Sequence, residues 1–296
     1  MRGMPPAPDR LSAPPPGATR HAAVAPAFEE TIGERDLAQW RSHLGQRLVA
    51  SADRATAVLD ARWPRWSLAV TLVLIVVVGG GLAIGVAHTA AEVYEQVVAH
   101  SGLAALDEPL LTWAVTTRTP RRDAAVTAFT DVGGPVGGAI LAVAVLAVLL
   151  LWWRRWTPLW VLAPALLGAV VLTGVGKDLT GRARPPRSLA VPPYEVSASF
   201  PSGHTLNATV LAGLTAYLIL IVARRAWVGA LGLAVSATYA VAMGLSRVWL
   251  GHHWLTDVIA GWLLGLAWVL GVVTLHRLVL TLRRARAAPR SPRGAA

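Results

Sequence analysis

The sequence predicts an all-α fold: a polytopic membrane protein with six transmembrane helices. Three observations carry that reading. Of 296 residues, 54% are hydrophobic and only 15% charged, and the mean hydropathy is +0.52. The apolar residues are bunched into runs near the length that crosses a bilayer, about 20 residues. Arginines gather at the ends of those runs, where the positive-inside rule puts them. The formal charge of +11 therefore calls for a membrane and not for nucleic acid.

The chain reads in order as follows. Residues 1–33 are rich in Pro and Ala without apolar periodicity and are expected to be a disordered tail. No early apolar core of the signal-peptide kind is present, so no cleaved signal is expected. Over residues 34–62, Leu37, Trp40, Leu44 and Leu48 recur at helical spacing, with Arg35, Arg41, Arg47 and Arg54 at polar positions. Such a basic amphipathic helix lies on the cytoplasmic membrane surface, or is an ordinary soluble helix. The membrane domain spans residues 63–276 and opens with the interfacial residues Trp63, Arg65 and Trp66.

Its first span is expected from about Ser67 to Ala87. A polar connection, residues 88–134, follows. In it Asp107 is placed to cap a short helix near Pro109, and Pro120 opens another. The second span is about Pro135 to Leu151, stopped by Trp152, Trp153, Arg154, Arg155 and Trp156. The third runs from about Leu159 to Gly176, the fourth from Thr205 to Val222, the fifth from Trp227 to Leu245 and the sixth from Val258 to Leu275. Residues 186–200 form a loop, and residues 277–296 form a basic cytoplasmic tail.

Six spans put both termini on one side. The N-terminal flank, Arg154 and Arg155, Arg224 and Arg225, and the C-terminal arginines all share it, so it is expected to be cytoplasmic. The first connection carries Arg118, Arg121 and Arg122 against Glu92, Glu95, Asp107, Glu108, Asp123 and Asp131, and falls outside. Three further stretches share that outer side: Lys177 to Pro185, Pro201 to His204, and Ser246 to Asp257. Low lysine (Lys177 alone, against 26 arginines) and abundant alanine suggest a high-GC bacterial source, and hence a bacterial plasma membrane. Without cysteine, disulfides and thiolate chemistry are excluded.

Those stretches carry the chemistry. Lys177, Arg184 and Arg247 are cations at the outer ends of spans, against the charge rule. Each alone reads as a snorkelling anchor. Together, with few acids nearby, they read as an anion site, because Arg forks match phosphate oxygens. Ser202, Gly203 and His204 sit at a helix start, where free N–H groups suit phosphate and Gly203 permits close approach. His253 and Asp257 are four apart, a spacing that shares one helical face. A carboxylate on one ring nitrogen leaves the other as nucleophile or base. His204 is the second imidazole, fit to protonate a leaving oxygen. A zinc or iron site built on the histidines and Asp257 competes with this reading, but three cations would repel a dication.

The ordered set Lys177-x6-Arg184-Pro185, Pro201-Ser202-Gly203-His204 and Ser246-Arg247-x5-His253-x3-Asp257 resembles the signature of the type 2 phosphatidic acid phosphatase superfamily. That group includes lipid phosphatases and vanadium haloperoxidases. The resemblance covers roughly residues 88–276. It implies that family's helical core and a two-step mechanism with no metal or other cofactor. His253 attacks phosphorus and forms a phosphohistidine, Asp257 orients it, and His204 protonates the leaving oxygen and then activates water. Lys177, Arg184, Ser202, Gly203 and Arg247 hold the phosphoryl oxygens. The implied substrate is a lipid phosphate or pyrophosphate: undecaprenyl pyrophosphate, phosphatidic acid, phosphatidylglycerophosphate or diacylglycerol pyrophosphate. A phosphotransferase would use the same residues. Haloperoxidases of the group are soluble, so six spans point away from them. A non-enzymatic membrane scaffold is the reading from another class.

Overall fold

Among the described residues, six helices are long and apolar enough to cross a membrane, and they set the frame. In the computed structural model, residues 67–287 are described, together with a two-residue antiparallel pair, Thr31–Ile32 (β1) with Arg35–Asp36 (β2). Arg35 and Asp36 are thus extended. The rest of the expected tail and amphipathic helix lies outside the described residues, as does the chain after residue 287.

The first span comprises α1 (Ser67–Ile75) and α2 (Gly81–Val98), joined by one π-helical turn, Val76–Gly80. It runs past the expected end at Ala87, because Ala90 and Val93 carry a buried stripe onward. Val93 and Tyr94 pack with Phe200, and the Tyr94 and Phe200 rings lie 5.1 Å apart. A short 3-10 turn, Gly102–Leu106, leads to α3 (Asp107–Thr117) and α4 (Pro120–Asp131). Thr119 caps α4 and Pro120 occupies its first turn, as the sequence suggests. Asp107 does not cap its own helix. Its carboxylate reaches another helix, described below.

The remaining spans are α5 (Pro135–Trp153), α6 (Thr157–Thr180), α7 (Gly203–Val222), α8 (Ala226–Trp249) and α9 (Leu255–Ala287). Three-residue links join α5 to α6 and α7 to α8, which makes each pair antiparallel. Helix α7 is the most enclosed span. Its Leu206, Val210, Leu214 and Leu218 meet Leu162, Ala165 and Ala169 of α6 and Val269 of α9 in the main core. Helix α9 continues twelve residues past the expected end at Leu275. Leu280 belongs to the core, His276 Nδ1 lies 2.8 Å from the Tyr217 hydroxyl, and Arg277 stacks over the Tyr217 ring at 5.6 Å. These partners keep residues 276–287 helical where the arginine content alone suggests a loose tail.

Helix α6 ends because Gly181 takes a left-handed φ of 57° and donates to the Lys177 carbonyl at 3.0 Å. Helix α8 ends likewise before Gly251, at φ 71°. The amides of His252 and His253 then hook back onto the Arg247 carbonyl at 3.0 and 3.3 Å. These two stops, with the starts of α7 and α9, lie at one end of the bundle.

Candidate active site

The three stretches meet there. The Ser202 amide donates to the Asp257 carbonyl at 3.1 Å, and Arg184 Nη1 to the His252 carbonyl at 2.7 Å. His253 does not lie on a helical face with Asp257. It sits in the turn before α9, and Asp257 is in the first turn of that helix. Asp257 Oδ2 reaches back to accept from the Trp254 amide at 2.9 Å, half of a capping box. This capping geometry, in place of a helical stripe, brings Oδ2 to 3.3 Å from His253 Nδ1.

The tautomer of His253 follows from its partners. Arg184 Nη1 lies 3.2 Å from His253 Nε2. A guanidinium only donates, so Nε2 accepts and Nδ1 carries the proton that faces Asp257. The imidazole is 1% exposed. Burial first, and then Arg184 and Arg247, push its pKa well below the ordinary histidine value, so the ring is neutral and Nε2 keeps its lone pair.

Asp257 is held by more than His253. It is fully buried, accepts from Ser199 Oγ at 2.5 Å and pairs with Arg182 Nη1 at 2.5 Å. Arg182 also pairs with Asp107 at 2.7 Å. Asp107 in turn accepts from the Thr256 amide at 2.9 Å and the Thr256 hydroxyl at 2.7 Å. Asp107 therefore caps α9, 149 residues away in sequence. Arg182, Ser199, Asp107 and Thr256 form a shell behind the pair that sequence reasoning missed. Asp107 resembles a local helix cap, and Arg182 is hidden among neighbouring cations.

Arg247 is 2% exposed. Its Nη1 donates to Thr130 Oγ1 at 3.0 Å, and its Nη2 pairs with Glu195. Ser246 bonds to the same Thr130 hydroxyl at 3.0 Å and so docks α8 on α4. Arg184 also meets Glu195, at 2.7 Å, and donates from Nε to the Ser197 carbonyl at 2.7 Å. Lys177 Nζ donates to Ser197 Oγ at 3.1 Å and to the Ala198 carbonyl. His204 Nδ1 lies 3.9 Å from Glu195. Burial works to raise the Glu195 pKa, but the guanidinium groups of Arg247 and Arg184 bring it down to about 2.

Ser202 is fully buried, and its Oγ accepts from Thr205 Oγ1 at 2.9 Å. Gly203 packs against α6, where a Cβ would come within 2.9 Å of Thr173 Cγ2. His252 is buried and lies 2.7 Å from the Val191 carbonyl through Nε2, bracing the loop. Below the cations opens a cavity of about 890 Å³. Lys177, Glu195, His204 and Arg247 form its polar end, and Leu166, Leu167, Val170 and Leu211 its apolar wall.

Comparisons with known proteins point to one family. The PAP2 superfamily profile matches residues 158–279. The chain is 31% identical over 166 residues to phosphatidylglycerophosphatase B of Bacillus subtilis, covering 54% of this chain and 78% of that relative. It is 37% identical over 106 residues to an undecaprenyl-diphosphatase of Sulfolobus acidocaldarius, covering 34% of this chain and 46% of that one. The crystal structure of a transmembrane PAP2-type phosphatidylglycerolphosphate phosphatase from Bacillus subtilis superposes with a TM-score of 0.59 at 27% identity, covering 66% of this chain and 95% of that one. With its apolar helices, its ordered motifs and a relative matched over most of its length, this integral membrane chain belongs to the PAP2 superfamily.

Proposed function

We propose that the protein is a phosphatase that hydrolyses the phosphate or pyrophosphate of a lipid through a phosphohistidine on His253. One observation carries the reading most. His253 turns Nδ1 to Asp257 and Nε2 to Arg184, and its neighbour His252 lines, with Lys177, His204 and Arg247, a cavity that runs on along apolar side chains. The phosphatases named above act, by their names, on phosphatidylglycerophosphate and undecaprenyl diphosphate, both lipids with a terminal phosphate.

In the first step Nε2 attacks phosphorus, and the bond from phosphorus to the leaving oxygen breaks. His204 gives that oxygen a proton. The imidazolium that forms keeps its Nδ1 proton toward Asp257, which balances the new charge. Lys177, Arg184, Arg247, Ser202 and the Gly203 amide hold the phosphoryl oxygens as charge shifts. In the second step His204 takes a proton from water, which attacks phosphorus. The P–N bond breaks and inorganic phosphate leaves. No step of this scheme calls on a metal.

The site belongs to the extracytoplasmic face. Arg154 and Arg155, and Arg224 and Arg225, lie in the links at the other end of the spans, and the positive-inside rule puts them in the cytoplasm. The test is phosphate release by purified protein in detergent from phosphatidylglycerophosphate, undecaprenyl pyrophosphate and phosphatidic acid, with excess chelator, beside His253→Ala. Release that survives chelator and is lost in the variant is expected, with a phosphoryl label on the wild-type protein that is stable to base and labile to acid. Release that needs a metal, or that persists in His253→Ala, refutes the mechanism.

A further inference from the structure

The loop between α6 and α7 places a carboxylate among the phosphate-binding cations. Glu195 Oε2 meets Arg184 at 2.7 Å, and Oε1 meets Arg247 and lies 3.9 Å from His204. The same strap continues with Ser197 and Ala198, which accept from Lys177 and Arg184. Three residues of the stretch 195–198, Glu195, Ser197 and Ala198, thus contribute partners to all the cations assigned above to the phosphoryl oxygens. The Arg forks that suit phosphate suit a carboxylate equally. Burial opposes ionisation of Glu195, but the surrounding cations hold it charged.

The strap is anchored at both ends, and its middle is held by the cations and not by the core. The Val191 amide donates to the Leu250 carbonyl at 2.9 Å and the Ser199 amide to the Arg182 carbonyl at 2.8 Å. Between these anchors Tyr194 is 49% and Val196 88% exposed, so the middle is not seated in the core.

Resting on the phosphatase reading, we propose that Glu195 is an internal competitor for the phosphate site, displaced by substrate and returning to expel product phosphate. The competition sorts lipids by charge. A terminal phosphate or pyrophosphate brings close to two negative charges and three free oxygens. A phosphodiester lipid brings one charge and two free oxygens, no more than the carboxylate it must displace. Glu195 is thereby a specificity residue. It keeps the site clear of the diester phospholipids that make up most of a bilayer.

The test compares wild type with Glu195→Gln, full chains in detergent, and measures inhibition of lipid phosphate hydrolysis by inorganic phosphate and by a diester, dioleoylphosphatidylglycerol. If the carboxylate holds the site nine-tenths of the time, removing its charge tightens inorganic phosphate about tenfold. The diester, inert toward wild type, becomes a competitive inhibitor of the variant. Unchanged inhibition by both overturns the proposal. A second measurement needs no variant: hydrogen exchange of residues 191–199 in wild type, with and without inorganic phosphate. Faster exchange with phosphate supports displacement, and slower exchange overturns it. Wild-type release that depends on His253 while both measurements fail sinks only the role of Glu195. Absence of such release sinks the phosphatase reading and this inference with it.

Discussion

Replacing Arg182 by Met isolates the shell behind the reactive pair. The guanidinium joins Asp257 at 2.5 Å and Asp107 at 2.7 Å, and those carboxylate side chains are 0% and 5% exposed. Removing one partner of a buried pair costs about 3–5 kcal/mol, because the remaining charge is left uncompensated. Two features favour the low end. Arg182 is itself 15% exposed, so water reaches the gap. Asp257 also keeps Ser199 and Trp254 as donors, and Asp107 keeps Thr256. A loss of about 3 kcal/mol is therefore expected on the principle cited. Arg182 does not line the cavity, so KM should hold while kcat falls. A misplaced orienting carboxylate of this kind is expected to cost about 100-fold, or roughly 2.7 kcal/mol of barrier. The assay pairs steady-state phosphate release with thermal unfolding in detergent. Adding Asp107→Asn to Arg182→Met removes one stranded charge and should return part of the lost stability, a coupling that independent sites lack. A single variant with wild-type kcat and melting, or a double variant with strictly additive losses, would contradict the bridging role.

Two further outcomes are expected. His252 and His253 are buried with pKa values lowered first by burial, so the unfolded chain binds more protons than the folded one as pH falls through about 6.5. Both thereby take stability away as the pH falls through that value, whereas Glu195, held near 2, stays charged there. His253→Asn should flatten the fall in melting temperature, and an unaltered slope counts against a neutral buried His253. Gly251→Ala forces an alanine to φ 71° and sets its Cβ 2.6 Å from the Leu189 carbonyl. It should cost at least about 1–2 kcal/mol and lower kcat by shifting Arg118, which bonds both the Trp249 and Leu189 carbonyls. Wild-type melting in that variant would show that the turn relaxes freely.

What was legible in the sequence depended on locality. Apolar runs announced the spans because every spanning backbone must satisfy its own hydrogen bonds. Lys177, Arg184, His204, Arg247, His253 and Asp257 stand out in the sequence because their order and spacing form one pattern, and the fold brings them to one end. The supporting shell had no such pattern. Arg182 and Asp107 are 75 residues apart, and Ser199 and Asp257 58, so nothing local marks them as partners. Helix ends failed for the same reason. Glu92 and Glu95 look like loop residues until Ala90 and Val93 are seen to be buried. Glu195 is one of few acids near these cations in the sequence, but a charge balance does not say which side chain supplies it.

The apolar wall below the cations has an energetic consequence for any lipid that uses the site. Leu166 and Lys177 both line the cavity and lie eleven residues apart on α6, about 16 Å along the axis. A lipid tail laid along that wall would stay out of water while its head group is at Lys177. Drawing even four methylenes of one tail into solvent costs about 3 kcal/mol, a burden on every turnover for an enzyme that lifts its lipid clear of the membrane. With the tail on that wall, encounter would be a sideways drift within the leaflet. Turnover then follows the surface density of the lipid in the bilayer, not its concentration in water, and diluting the lipid with inert detergent should slow the enzyme even when the total amount is unchanged.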